Sequence, residues 1–80
     1  MSQQTSTIYV PLLNEGLDVW RPVEARHLGR GAYLIVDEDY DPEVETWQFE
    51  PGTIVRCRTE RREGRPIKVA IERAPQSALG

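Results

Sequence analysis

The eight residues Asp18-Val19-Trp20-Arg21-Pro22-Val23-Glu24-Ala25 limit what this chain can fold into more than any other stretch. Proline carries no N–H and cannot donate to an interior strand ladder, yet the residues around it alternate as a strand does. Such a strand puts Val19, Val23 and Ala25 on one side and Trp20, Glu24 and Arg26 on the other, with Arg21 interrupting the apolar side. Both demands are met if the run from Leu17 to Leu28 bends near Pro22 and lends its two halves to different sheets. In that way a small barrel closes without a helix.

The remaining strands follow the same period of two. Ile8-Tyr9-Val10-Pro11-Leu12-Leu13 reads as the first, and Asn14-Glu15-Gly16 as a three-residue hairpin loop leading into the bent strand. Gly29 offers the positive φ that the first central position of a type II′ turn needs, so a tight hairpin is expected before Ala32-Tyr33-Leu34-Ile35-Val36. That strand is apolar almost throughout, as one covered on both sides would be, or one with Tyr33 lying over the outside. Residues 37–45 are too charged for a core strand. They form a loop in which Asp41-Pro42 starts one helical turn, an N-cap followed by proline at the first helical position. Thr46-Trp47-Gln48-Phe49-Glu50 puts Trp47 and Phe49 on one side. Pro51-Gly52 has the residues of a type II turn and predicts a corner between sheets. Thr53 to Arg58 turns Val55 and Cys57 inward and Arg56 and Arg58 outward, residues 61–65 make a hairpin tip, and Pro66 to Glu72 places Ile67, Val69 and Ile71 inside.

No stretch spaces apolar residues for a packed helix. The expected fold is therefore all-β: a small, SH3-like, partly open barrel of five to six short antiparallel strands, with at most one helical turn near residues 42–46. Eighty residues suit one domain, expected over 7–73 between a disordered leader at 1–6 and a disordered tail at 74–80. An immunoglobulin sandwich needs about 100 residues. The single cysteine excludes an intrachain disulfide and a four-cysteine zinc site. With no signal-like leader and no long apolar run, a cytoplasmic protein without membrane contact is expected.

The pattern Tyr9-Val10-Pro11-Leu12-Leu13-Asn14-Glu15-Gly16, Asp18-Val19-Trp20-Arg21-Pro22-Val23-Glu24-Ala25, Gly29, Gly31, Tyr33, Trp47, Phe49, Pro51-Gly52 and Val55-Arg56-Cys57 resembles a group of small, uncharacterised bacterial single-domain proteins. The likeness runs from Tyr9 to Cys57. It implies a compact domain and carries over no functional residue.

Catalysis is not expected. The one histidine, His27, precedes a hairpin, and Cys57 occupies an alternating apolar position where a cysteine is usually a small core residue. The acids Asp37, Glu38, Asp39, Asp41, Glu43 and Glu45 lack the spacing of a helix–loop–helix calcium site, and Gly29-Arg30-Gly31 opens a strand rather than a phosphate-binding helix. No metal or cofactor is expected.

Charge is segregated beneath the net −3: seven acids and no bases from Asp37 to Glu50, then five arginines against two glutamates from Arg56 to Arg65. Two surfaces follow. Trp20, Asp39, Tyr40, Asp41 and Trp47 combine aromatic rings with acid and would suit an extended basic or proline-containing segment of a protein partner. The competing assignment has Trp47 and Phe49 plugging the barrel while Trp20 covers one end. The other surface is the ridge Arg56, Arg58, Arg61, Arg62 and Arg65, which could track the phosphates of RNA, answer the acidic loop, or guard a strand edge. Protein contact is the leading expectation. Nucleic-acid binding comes second, because overall acidity opposes it and no aromatic ring lies within the ridge segment. A homodimer through strand edges or Trp20 is a third.

Overall fold

The computed structural model describes residues 5–13 and 19–74 and contains six strands: β1 (Ser6–Leu13), β2 (Trp20–Gly29), β3 (Ala32–Ile35), β4 (Thr46–Trp47), β5 (Ile54–Arg62) and β6 (Arg65–Arg73). There is no helix among the described residues, and the chain forms the small, all-β, partly open barrel that its alternation predicts. The Asn14-Glu15-Gly16 loop, residues 1–4 of the expected leader and residues 75–80 of the expected tail lie outside the described residues.

Five of the strands close a ring. β1 pairs antiparallel with β2, β2 with β3, β3 with β5 and β5 with β6, and β6 returns to β1. Direction reverses at each of these steps, so with an odd number of strands the closing pair must run parallel. Parallel pairing is slightly weaker per residue, and here it consists of one bridged pair, Tyr9 with Val69. That is the open seam. β4 stands outside the ring, adding Trp47 and Thr46 to the end of β1 at Leu12 and Leu13.

β2 serves two partners, and the change of partner falls at Ala25 rather than at Pro22. Residues 20–25 of β2 pair with β1, residues 25–29 pair with β3, and Ala25 faces both Ser6 and Ile35. Pro22 lies in the half that has no β3 partner, so its missing N–H leaves no ladder bond unmade. The exposed edge is closed by the acidic segment: Val36 N donates to Glu24 O at 3.0 Å, and Glu24 N donates to Asp37 Oδ2 at 3.2 Å.

Alternate residues fill the interior. Ile8 and Val10, Val23 and Ala25, Tyr33 and Ile35, Trp47 and Phe49, with Val55 and Ala70, form one buried cluster. Trp47 and Phe49 plug the barrel together, although the ladder itself covers only Thr46 and Trp47 before the chain bends at 48–49. Tyr33 belongs to this core rather than to the outside.

Two local details differ from the expectations, and two turns agree with them. β6 does not bury Ile67, Val69 and Ile71 on one inner face. Arg56 pairs with Glu72 but Cys57 with Ala70, so Ile71 is an extra, bulged residue and is 43% exposed. Ala70 takes the core position, and Ile67 and Val69 turn to the outer face with Tyr9. The β2–β3 loop is also shifted by a bulge. His27 pairs with Tyr33 and Gly29 with Ala32, which leaves Leu28 extra and makes Arg30 and Gly31 the central residues. Their φ values of 54° and 76° are both positive, the signature of a type I′ rather than a type II′ turn. Pro51-Gly52 is the expected type II turn, with Gly52 at φ 90° and Thr53 N donating to Glu50 O. At the expected helical turn, Asp41 O accepts from Val44 N and Glu45 N while Asp41 Oδ1 accepts from Glu43 N, a single capped turn.

Candidate functional site

The five arginines of the ridge sort into two groups. Arg56 Nε lies 3.3 Å from Glu72 Oε2, close enough to attract it but not aligned for a hydrogen bond, and Arg58 pairs with Glu60. Arg61, Arg62 and Arg65 make no ion pair within the described residues. Arg62 and Arg65 stand directly opposite each other where β5 turns into β6 through Glu63-Gly64. Like charges in that arrangement repel. The acidic loop does not answer them: its ion pair is Glu45 with Arg21, at 3.3 Å.

What Arg62 does touch is Trp20. Its guanidinium carbon lies 4.3 Å from the centre of a Trp20 ring, a cation–π contact between residues far apart in the chain. Alternation explains how Trp20 is available. Val23 and Ala25 face the core, so Trp20 faces outward, as does Tyr9 between buried Ile8 and Val10. Tyr9, Trp20, Arg62, Glu63, Arg65 and Ile67 line a cleft of about 270 Å³. The aromatic rings that the arginine segment lacks are thus supplied by β1 and β2. Ile67 and Glu63 were not anticipated as cleft residues. Ile67 reaches the outer face because the bulge at Ile71 gives Ala70 the core position, and β6 alternates back from there.

The expected acidic–aromatic surface is divided. Trp47 is buried, its indole Nε1 donating to Glu45 Oε1 at 2.8 Å, and the half-buried Tyr40 ring packs on it with centroids 4.6 Å apart. Glu45 therefore holds both Trp47 and Arg21, which ties the loop to the barrel. Asp39 and Asp41 stay exposed beside Val44, which is 77% exposed, along a shallow cleft of about 180 Å³ that also includes Arg21 and Glu45. Trp20 and Arg21 point to opposite faces of β2, so Trp20 does not join this loop.

His27 and Cys57 each have other neighbours. His27 stacks on Tyr33, centroids 4.7 Å apart. Cys57 is half-buried against the core, and burial pushes its thiol up to about 11, a shift that the charge of Lys68 only partly opposes. Such a thiol is protonated at neutral pH and is a weak nucleophile. Burial also raises Tyr33, with Cys57 adding to the effect. Among the described residues no three His, Cys, Asp or Glu side chains are grouped to hold a metal ion, and no helix is long and apolar enough to cross a membrane. No protein-family model matches the chain, and neither a curated protein nor a solved structure is significantly similar to it.

Proposed function

We propose that this protein is a non-catalytic module that binds single-stranded nucleic acid in the cleft between Trp20 and the β5–β6 hairpin. The observation that carries the reading is the junction of Arg62 and Trp20, with Tyr9 and Arg65 beside them. Stacking surfaces next to cations are what an unpaired base and its phosphate require. A duplex hides its base faces, so a single strand fits this chemistry better. Arg61 and Arg65, free of carboxylate partners in the described residues, extend the positive charge along the hairpin tip.

The test is fluorescence anisotropy with short labelled oligonucleotides, RNA and DNA, at several salt concentrations. Trp20→Ala should weaken binding by about 1–3 kcal/mol, the value of one base–aromatic stack. Arg65→Ala should reduce the salt slope by about 0.7, the change for one lost phosphate contact on a single strand. Equal affinity for single strands and duplexes, with Trp20→Ala without effect, would count against the reading.

A second reading, capture of a basic protein segment by the acidic loop, rests on Val44 standing exposed between Asp39 and Glu45. If oligonucleotides do not bind but reversing Asp39 and Asp41 to Lys abolishes capture of a partner in a pull-down, that reading takes precedence.

A further inference from the structure

In the free protein a stacking face of Trp20 is already occupied. Arg62 covers Trp20 at 4.3 Å, a position that a nucleobase would need. A guanidinium is planar and cationic, and it stacks on an aromatic ring as a base does. Arg62 is also held directly opposite Arg65, a like charge, and makes no ion pair among the described residues. Its contact with Trp20 is the attraction that offsets this repulsion. We infer that ligand binding at this cleft is an exchange: a base takes the place of Arg62 on Trp20, and the released guanidinium moves to the phosphate next to that base.

This rests on the nucleic-acid reading above and deepens it, because it fixes the smallest ligand that can act. A phosphate alone gives Arg62 no reason to leave Trp20, since nothing replaces it on the ring. A nucleoside alone must break the cation–π contact without giving the guanidinium a new partner. Only a base joined to a phosphate supplies both. The cleft lining divides in the same way: Tyr9, Trp20 and Ile67 offer apolar or aromatic surface, and Arg62 and Arg65 offer positive charge, with Glu63 at the turn the one acid among the lining residues.

The exchange has a signature that a simple phosphate contact lacks. Arg62 contributes a phosphate contact, which salt weakens, and imposes the cost of uncovering Trp20, which salt affects much less. Arg62→Ala removes both. Affinity for a short fluorescein-labelled oligouridylate, measured by anisotropy across a salt series, should therefore cross: the variant binds more weakly than the parent at low salt and more tightly at high salt. Its slope should be shallower by about 0.7. On a Trp20→Ala background, adding Arg62→Ala should only weaken binding, since no face remains to uncover. Uridine and inorganic phosphate, used as competitors, should each displace the probe far less than uridine monophosphate does.

If the two salt curves converge without crossing, Arg62 is a phosphate contact only, and the exchange is overturned while the nucleic-acid reading survives. Parallel curves would assign Arg62 a structural role and would likewise overturn it. Absence of oligouridylate binding by the parent protein, or binding indifferent to Trp20→Ala, sinks the nucleic-acid reading itself. Arg62 lies exposed at a hairpin end, and circular dichroism of each variant separates loss of binding from loss of fold.

Discussion

Arg56, Arg58 and Arg62 lie on the same strand and carry the same charge, yet their neighbours give them different tasks. Glu72 and Glu60 answer the first two, whereas Arg62 is left to an indole ring. Exposed ion pairs of this kind contribute at most about 1 kcal/mol, so Arg56→Ala should barely change stability. Cys57 is the more consequential residue for pH. Its thiol titrates near 11 in the fold, above its ordinary value of 9.0. The folded state therefore holds that proton more tightly than the unfolded chain does. The resulting stability is fully present below pH 9 and is lost as pH rises toward 11. Tyr33, raised in the same direction, adds to the loss. Urea unfolding of the parent should show stability falling through this window, and Cys57→Ala should flatten the fall without removing it. An unchanged pH profile in the variant would show that Cys57 is not responsible. Iodoacetamide should also modify Cys57 in the folded protein more slowly than in the unfolded chain.

The elements show which parts of the fold can be read from the chain and which cannot. Strand β1, the bent strand β2, the core placement of Trp47 and Phe49, the Pro51-Gly52 turn and the capped turn at Asp41 are all written in local patterns, because alternation and turn chemistry act over a few residues. The inner face of β6 is not. Its apparent alternation of Ile67, Val69 and Ile71 is interrupted by a bulge that depends on pairing with β5, which no local pattern records. For the same reason the contact of Arg62 with Trp20 was illegible: each residue faces outward by its own alternation, but only closure of the ring brings them together. The bulge yields a direct prediction. Removing a buried isoleucine side chain costs about 2–5 kcal/mol, whereas Ile71→Ala should cost under about 1 kcal/mol because Ile71 is already 43% exposed. Ala70→Leu should cost about 1–3 kcal/mol by overpacking the core. Denaturant midpoints that reversed this order would place Ile71 inside and the bulge elsewhere. The β5–β6 turn offers a gain. Glu63 sits at φ 51°, where a non-glycine residue is strained and asparagine is favoured, so Glu63→Asn should raise stability by up to about 1 kcal/mol.

For the whole molecule the parallel seam sets the order of assembly. Each antiparallel neighbour pair in the ring except β3–β5 is also adjacent in sequence, and β5–β6 closes through the two-residue Glu63-Gly64 turn. β1 and β6, in contrast, meet across nearly the full described length, and although they pack side by side their ladder has one bridged pair, Tyr9 with Val69. Ordering so much chain before one bridged pair rewards it is entropically costly, so the seam should form after the folding barrier. Val69 is buried on the outer face at that bridge, and Val55 is fully buried near the start of β5, where it pairs with Tyr33 of β3 and Arg73 at the end of β6. Truncating either to Ala should cost roughly 1–3 kcal/mol, a large share of the ~4–12 kcal/mol available to a domain of 80 residues. The kinetics should separate them. Val69→Ala should act mainly by speeding unfolding, with a φ-value near 0, while Val55→Ala should slow folding, with a φ-value of about 0.5 or more. Stopped-flow chevrons would decide the point. A Val69 φ-value as high as that of Val55 would mean that ring closure precedes the barrier, and that the single bridge is the nucleus of the barrel rather than its last join.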